Sequence, residues 1–182
     1  MQDKRINLKT LSLSSVFLAF SVIISIIEGM SGINALIPLP GVKLGLCNIA
    51  TCACFYLVSK RSAFAIAVIR PLFLFVFTSN PVSFLLGFCG SIMSFLSLVM
   101  TYKLYDKVFS FAGISCISAV FHSIGQIIGA IIIMLDKSLL LYLPLLICAS
   151  SLTGSLCGIL MNKILPLLSK HLSLMKFGGM KI

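Results

Sequence analysis

Long apolar runs separated by short polar stretches make up most of this chain. A helix that crosses a lipid bilayer needs about 20 mostly apolar residues. On this criterion the pattern predicts six spanning helices, at about residues 8–27, 44–59, 62–78, 81–101, 110–135 and 139–162. The remaining stretch, residues 163–182, is predicted to be a basic cytoplasmic tail. The expected fold is an all-α bundle that forms one integral membrane domain.

A polar, turn-rich segment separates the first two predicted helices. Residues 31–43 include Pro38-Leu39-Pro40-Gly41, so the segment is too short and too interrupted to cross the bilayer. It is expected to be either a loop or a re-entrant lid. The second predicted helix is short for a span and is expected to recruit part of this segment or to tilt little.

The composition agrees with a lipid environment. Hydrophobic residues make up 59% of the sequence and charged residues 10%, and the mean hydropathy is +1.16. In a soluble domain about a quarter of the residues are charged. This chain therefore has too little polar surface to coat a globule in water.

Basic residues are distributed unevenly between the two sides of the predicted bundle. The formal charge is +10, from 14 Lys and Arg against 4 Asp and Glu. If the N-terminus is cytoplasmic, only Lys43 and Lys137 fall outside and Arg70 falls within a helix, so the other eleven are cytoplasmic. Basic short loops favour the cytoplasm, which predicts that both termini lie there. Because these residues lie between apolar runs, we expect contacts with membrane lipid and no nucleic-acid partner.

Sequence signals for catalysis and metal binding are missing. The seven cysteines lie in apolar runs without a C-x-x-C pair and are expected to be small buried hydrophobes. The four carboxylates form no close pair, and the sequence contains no P-loop and no HExxH motif. We therefore expect no catalytic residue, no metal ligand and no cofactor. Any energy input would have to come from a partner or an ion gradient.

Three polar residues near the predicted helices need an explanation. Arg70 lies near the centre of the third helix, where a charged side chain costs about 2.5–3.5 kcal/mol on insertion scales. It is expected either to make an internal ion pair or carbonyl contacts, or to bind an anion in a cavity. Glu28 is expected to pair with Arg70 or Lys43, to contact substrate or to be solvated. Asn48 is expected to cap the second helix or to hydrogen-bond across helices.

Polar residues also cluster in the fifth predicted helix. His122 and Gln126 are four residues apart and therefore share a helix face, with Ser123 beside them. Hydrogen bonding between helices and lining of a substrate cavity both explain this face. Neutral imidazole and carboxamide groups can recognise a polar ligand without the cost of a buried charge.

Small residues recur at four-residue spacing, which lets helix backbones approach closely. The pairs are Ser15 and Ala19, Gly87 and Ser91, Gly125 and Gly129, and Gly154 and Gly158. Packing within the bundle and docking of a partner membrane subunit are both open interpretations.

Several stretches of the sequence resemble a known family. Residues 38–49 (PLPGVKLGLCNI) are similar to the lPGiKLGLaNi signature of the Gx transporter family, which is also labelled heptaprenyl diphosphate synthase component I. Residues 119–126 (AVFHSIGQ) are similar to its GavaHniGQ motif, with Ser123 where Asn is common. Arg70 and the stretch 143–154 fit the family too, so the resemblance covers about residues 8–165.

This family is similar in size and topology to the substrate-binding S components of energy-coupling factor (ECF) transporters. The resemblance implies a six-helix, N-in/C-in protein of the bacterial cytoplasmic membrane that captures a small molecule from outside. It also implies a transmembrane coupling subunit and cytosolic ATPases as partners. In S components a small-xxx-small face on the first helix docks the coupling subunit, and Ser15 and Ala19 match that pattern.

The leading interpretation is a substrate-binding subunit for a small vitamin-like or anionic molecule. The residues predicted to line its site are Glu28, Lys43, Asn48, Arg70, His122 and Gln126. The alternative is a non-catalytic membrane component associated with polyprenyl (heptaprenyl) diphosphate synthesis. A third interpretation is a structural membrane protein without a ligand.

Overall fold

The computed structural model describes residues 8–30, 42–102 and 110–174, which are mostly helical and contain no strand. The elements are α1 Leu8–Met30, α2 Asn48–Leu57, α3 Lys60–Thr78, α4 Pro81–Thr101, α5 Phe111–Met134, a 3-10 segment Lys137–Tyr142 and α6 Leu143–Leu174. The predicted loop or lid at residues 31–43 lies outside the described residues except for its last two positions.

Five of the described helices are long and apolar enough to cross a membrane: α1, α3, α4, α5, and the 3-10 segment together with α6. Helix α2 has ten residues, which is about 15 Å of a hydrocarbon core about 30 Å thick. Nearly all of its side chains are buried, and it contacts each of the other five helices. The prediction of six spanning helices is therefore not confirmed, because the described residues contain five candidate spans and one short central helix.

The backbone around Gly45 explains why the predicted helix at 44–59 begins only at Asn48. Gly45 has φ +87°, a left-handed conformation that interrupts a helix and that suits glycine. Residues 42–47, here called the inserted segment, are consequently non-helical although most of them are buried. At the other end, Ser59 is extended and its Oγ accepts a hydrogen bond from the Ser62 N–H at 3.0 Å, which starts α3.

Two of the predicted glycine pairs bring helices together inside the bundle. A Cβ on Gly125 in α5 would lie 2.7 Å from the Cys89 carbonyl oxygen of α4. A Cβ on Gly154 in α6 would lie 2.8 Å from Cys116 Cα of α5. Substitution by any larger residue would therefore separate these helices, so both pairs serve internal packing.

Buried apolar side chains form two clusters at different depths. The proximal cluster lies toward the start of α1 and includes Phe17, Leu57, Ile66, Leu98, Ile114 and Leu165. The distal cluster includes Val42, Leu86, Ile127, Ala130, Leu139 and Leu146. On α4 the buried Ser91 lies between Leu98 and Leu86, and on α5 His122 lies between Ile114 and Ile127. A polar layer is thus enclosed between two apolar layers.

Helix α6 is longer than predicted. It has 32 residues and continues through Pro166 to Leu174, so residues 163–174 of the predicted tail are helical. Leu165 is buried in the proximal cluster and Leu168 packs against it, which favours continuation of the helix. At about 48 Å it exceeds the hydrocarbon thickness, so one end extends beyond the apolar core. Residues 175–182 lie outside the described part of the chain.

The surface of the bundle suits lipid. Large apolar side chains such as Val76, Leu141 and Leu152 are 69–82% exposed, which water would disfavour over so many positions. Near the start of α3, the Lys60 ammonium lies 3.7 Å from the centre of the Tyr102 ring. Such cationic and aromatic residues are typical of a membrane interface. The structure therefore describes a multi-pass membrane protein.

We expect Gly125→Val to destabilise the bundle, because its side chain would press on the α4 backbone. Overpacking of this kind costs about 1–3 kcal/mol, so the melting temperature should fall by several degrees. Gly29→Val is the control, since a Cβ there would meet nothing within 4 Å.

Melting is best followed in detergent with a dye that fluoresces on reaction with thiols. The chain has no tryptophan, whereas four cysteines are buried: Cys47, Cys52, Cys54 and Cys157. Equal melting temperatures for the Gly125 and Gly29 variants would contradict the close α4–α5 packing.

Candidate functional site

Arg70 is the centre of the polar layer. It lies ten residues into α3, about 15 Å along the helix axis, and is only 2% exposed. Its Nη1 donates to Ser21 Oγ and to Asn48 Oδ1, both at 3.4 Å, and its Nη2 donates to Ser91 Oγ at 2.5 Å. All three acceptors are neutral. Arg70 therefore forms no ion pair with any described residue, although the sequence allows an internal ion pair as one explanation for it.

The inserted segment is fixed by side chains from α1, α5 and α6. Two backbone N–H groups of the segment donate to side chains: Lys43 N–H to Gln126 Oε1 (3.3 Å) and Gly45 N–H to Glu28 Oε1 (2.8 Å). Two of its carbonyl oxygens accept from side chains: Leu44 O from Thr153 Oγ1 (3.3 Å) and Cys47 O from Ser21 Oγ (3.4 Å). These bonds replace those that a helix would supply and avoid the cost of unpaired backbone groups at this depth. The bonds to Glu28 and Gln126 also occupy two side chains that the sequence predicts for the site.

Hydrogen-bond directions determine the protonation of His122. Gln126 Oε1 accepts from the Lys43 N–H, so the amide nitrogen of Gln126 points toward His122. This Nε2 lies 3.1 Å from His122 Nε2. An amide nitrogen only donates, so the imidazole Nε2 must accept and carry no proton. The neutral ring therefore holds its proton on Nδ1.

Two buried nitrogen atoms in this layer have no hydrogen-bond partner among the described residues: Asn48 Nδ2 and His122 Nδ1. Asn48 is 5% exposed and His122 is 1% exposed. The oxygen of Asn48 already accepts from Arg70, so its unpaired nitrogen is a donor. The hydroxyls of Ser25 and Thr51 are also buried without a hydrogen-bond partner among the described residues. Unpaired buried donors are rare and costly, which marks this layer as unusual.

Two glycines lie against these unpaired donors. A Cβ on Gly45 would lie 3.0 Å from Asn48 Nδ2, and a Cβ on Gly90 would lie 2.9 Å from His122 Nδ1. The imidazole is thus held between the inserted segment and α4, with its Nδ1 beside the backbone of Gly90. No larger residue fits at either position without displacing His122.

The structure brings all six predicted site residues together. Gly45 contacts Glu28, Asn48 and His122, Arg70 donates to Asn48, and Gln126 links Lys43 to His122. Lys43 is 8% exposed and Glu28 is 3% exposed, so both belong to the enclosed layer and not to an open loop. That these six bind a substrate stays a prediction.

Ser15 and Ala19 lie elsewhere. Both are on the exposed face of α1, where they line a shallow groove together with Leu8, Leu11, Ser12 and Val16. They do not contribute to packing inside the bundle as Gly125 and Gly154 do. The position is compatible with docking of another subunit, which stays a prediction.

Sequence reasoning missed two of the three neutral partners of Arg70, Ser21 and Ser91. Ser21 has a signal that could have found it, because Ser21, Ser25 and Glu28 follow the i, i+4, i+7 spacing of one helix face. Ser91 stands out in the sequence only as a small residue four positions after Gly87, and nothing in the sequence links it to Arg70. Across the described residues, no group of three His, Cys, Asp or Glu side chains is placed to hold a metal ion.

The tautomer of His122 can be tested directly. The chain has two histidines, so His171→Gln leaves a single imidazole for 15N NMR with labelled histidine. We expect a protonated Nδ1 and an unprotonated Nε2. Gln126→Glu should move the proton to Nε2 or charge the ring, because a carboxylate accepts where the amide donates. A protonated Nε2 in the His171→Gln protein would contradict the hydrogen-bond directions.

Comparison with known proteins now gives the family. No curated protein and no solved structure matches the chain. Residues 17–164 match the family described as "Heptaprenyl diphosphate synthase component I". This match covers most of the chain and confirms the resemblance to the family carrying that label. The chain belongs to the heptaprenyl diphosphate synthase component I family.

Proposed function

We propose that this protein is the substrate-binding subunit of an ECF-type transporter in the bacterial cytoplasmic membrane. It would take up a small vitamin-like or anionic molecule. The observation that carries the proposal is the enclosed polar layer around Arg70 at the depth of the bilayer centre. Ionisable residues at such depth are costly, and they mark substrate paths and binding sites in membrane proteins.

The enclosure of the layer supports a small ligand. Its side chains come from every spanning helix and from α2, and apolar clusters cover it on both sides. Binding sites for small molecules are typically concave, mostly apolar and supplied with a few well-placed polar groups. The donors around Arg70, Asn48 and His122 provide such groups. In this arrangement the layer is closed, so substrate entry requires movement of covering residues.

The exposed face of α1 supports a partner. The sequence contains no nucleotide-binding motif, so ATP-driven transport needs ATPases in the cytosol and a coupling subunit in the membrane. Ser15 and Ala19 leave a shallow groove on α1 in which another helix can approach closely. We propose this face as the docking site.

Substitution of Ser15 and Ala19 by Phe should release the partner without unfolding the protein. Both side chains are exposed, so the melting temperature should stay within about one degree, as is usual for surface substitutions. The coupling subunit and its ATP-hydrolysing activity should be lost from the purified complex. Cys148→Phe is the matched control, because it enlarges an exposed residue on another helix.

The measurement is the ATPase activity and subunit composition of complexes purified through a tag on this chain, together with uptake in cells. Absence of ATPase subunits from the wild-type complex would contradict the proposal. Equal loss with Cys148→Phe would contradict the assignment of the docking face.

The family label names a second candidate, a non-catalytic membrane component associated with polyprenyl diphosphate synthesis. Arg70 and Lys43 would then hold the diphosphate of an intermediate. Purification with a soluble prenyltransferase in place of ATPases would favour this candidate over transport.

A further inference from the structure

The hydrogen-bonding groups left over in the polar layer are predominantly donors. Asn48 Nδ2 and His122 Nδ1 are both buried and unpaired, and neither can accept once Asn48 Oδ1 and His122 Nε2 are used. The hydroxyls of Ser25 and Thr51 can also donate. A ligand that completes this layer must therefore supply acceptors.

The charges of the layer lead to the same conclusion. Arg70 and Lys43 are cationic, whereas Glu28 is the only carboxylate among the described residues of the layer. Glu28 Oε1 already accepts from Gly45 N–H, and Arg70 hydrogen-bonds only neutral oxygens within the described part of the chain. An excess positive charge in a buried site favours an anion over a neutral or cationic ligand.

The position of the donors defines how such an anion would bind. The guanidinium of Arg70 donates to Asn48, and Asn48 Nδ2 and the imidazole of His122 both lie against Gly45. Asn48 is therefore the shared neighbour of Arg70 and of the His122 ring, whose Nδ1 faces Gly90. Glycine at position 45 leaves no methyl group against Asn48 Nδ2.

From these observations we infer that the layer binds an oxyanion through two neighbouring donors, the Arg70 guanidinium and Asn48 Nδ2–H. This inference rests on the proposed function and deepens it by naming the group of the substrate that is recognised. A carboxylate or phosphate of a water-soluble molecule and the diphosphate of a prenyl chain share this chemistry.

The test uses the full chain purified in detergent and the thiol-dye melting assay. The probes are inorganic phosphate, inorganic diphosphate and succinate as soluble oxyanions, farnesyl diphosphate as the amphiphilic one, and choline as a cation. We expect at least one oxyanion to raise the melting temperature in a saturable way and choline to have no effect. A shift with the soluble probes indicates a water-soluble substrate, and a shift with farnesyl diphosphate alone indicates a prenyl diphosphate.

Two variants test the assignment of the donors. Arg70→Gln should weaken the response by about 10- to 100-fold in apparent affinity, as expected for loss of a charged hydrogen-bond donor. The control Arg61→Gln removes an exposed arginine from the same helix and should change affinity less than about twofold. Asn48→Asp supplies the carboxylate that Arg70 lacks. It should raise the melting temperature of the protein without probe and abolish the response to oxyanions.

The Asn48→Asp variant keeps the inference testable if Arg70→Gln fails to fold, since it retains shape and adds an internal ion pair. The inference is overturned if no oxyanion stabilises the wild type, if choline stabilises it equally, or if Asn48→Asp responds like the wild type. Equal losses in the Arg70 and Arg61 variants would also overturn it. Subunit composition is measured separately, so oxyanion binding without ATPase subunits would contradict only the transport proposal.

Discussion

The burial of Arg70 among neutral oxygens is the constraint on which the polar layer depends. A guanidinium near the bilayer centre must keep its donors satisfied, and here Ser21, Asn48 and Ser91 do so from three different helices. This arrangement fixes α1, α2 and α4 around α3. It neutralises no charge, however, because the three acceptors carry none. The positive charge of Arg70 is therefore available to the anion that we propose as ligand.

The inserted segment shows how irregular backbone is accommodated at this depth. Its N–H and C=O groups are paired with Glu28, Gln126, Thr153 and Ser21, so no lipid-facing polar backbone is needed. The same pairing uses acceptors of the layer and leaves donors unpaired. The pairing of these backbone groups and the ligand preference that we propose therefore follow from the same hydrogen-bond pattern.

Membership in the family fits both a transporter subunit and a component of prenyl diphosphate synthesis. In both proposals a ligand would enter the bundle from membrane or water and meet a cation enclosed between apolar layers. The proposals differ in the partner, and the exposed face of α1 is the surface that we propose for a second membrane subunit. The chemistry of the site and the identity of the partner are thus separate questions about the same molecule.

The sequence by itself determined the lipid environment, the approximate positions of five spans and six of the polar residues that form the layer. These follow from local properties, namely hydropathy over about 20 residues and helical spacing. Only the tertiary structure decided that α2 stops short of a span, that Arg70 has neutral partners and that His122 is protonated on Nδ1. Those features depend on contacts between distant residues, such as Lys43 and Gln126, which are 83 positions apart. The spacing of residues along one helix cannot specify a hydrogen bond between that helix and a distant segment of the chain.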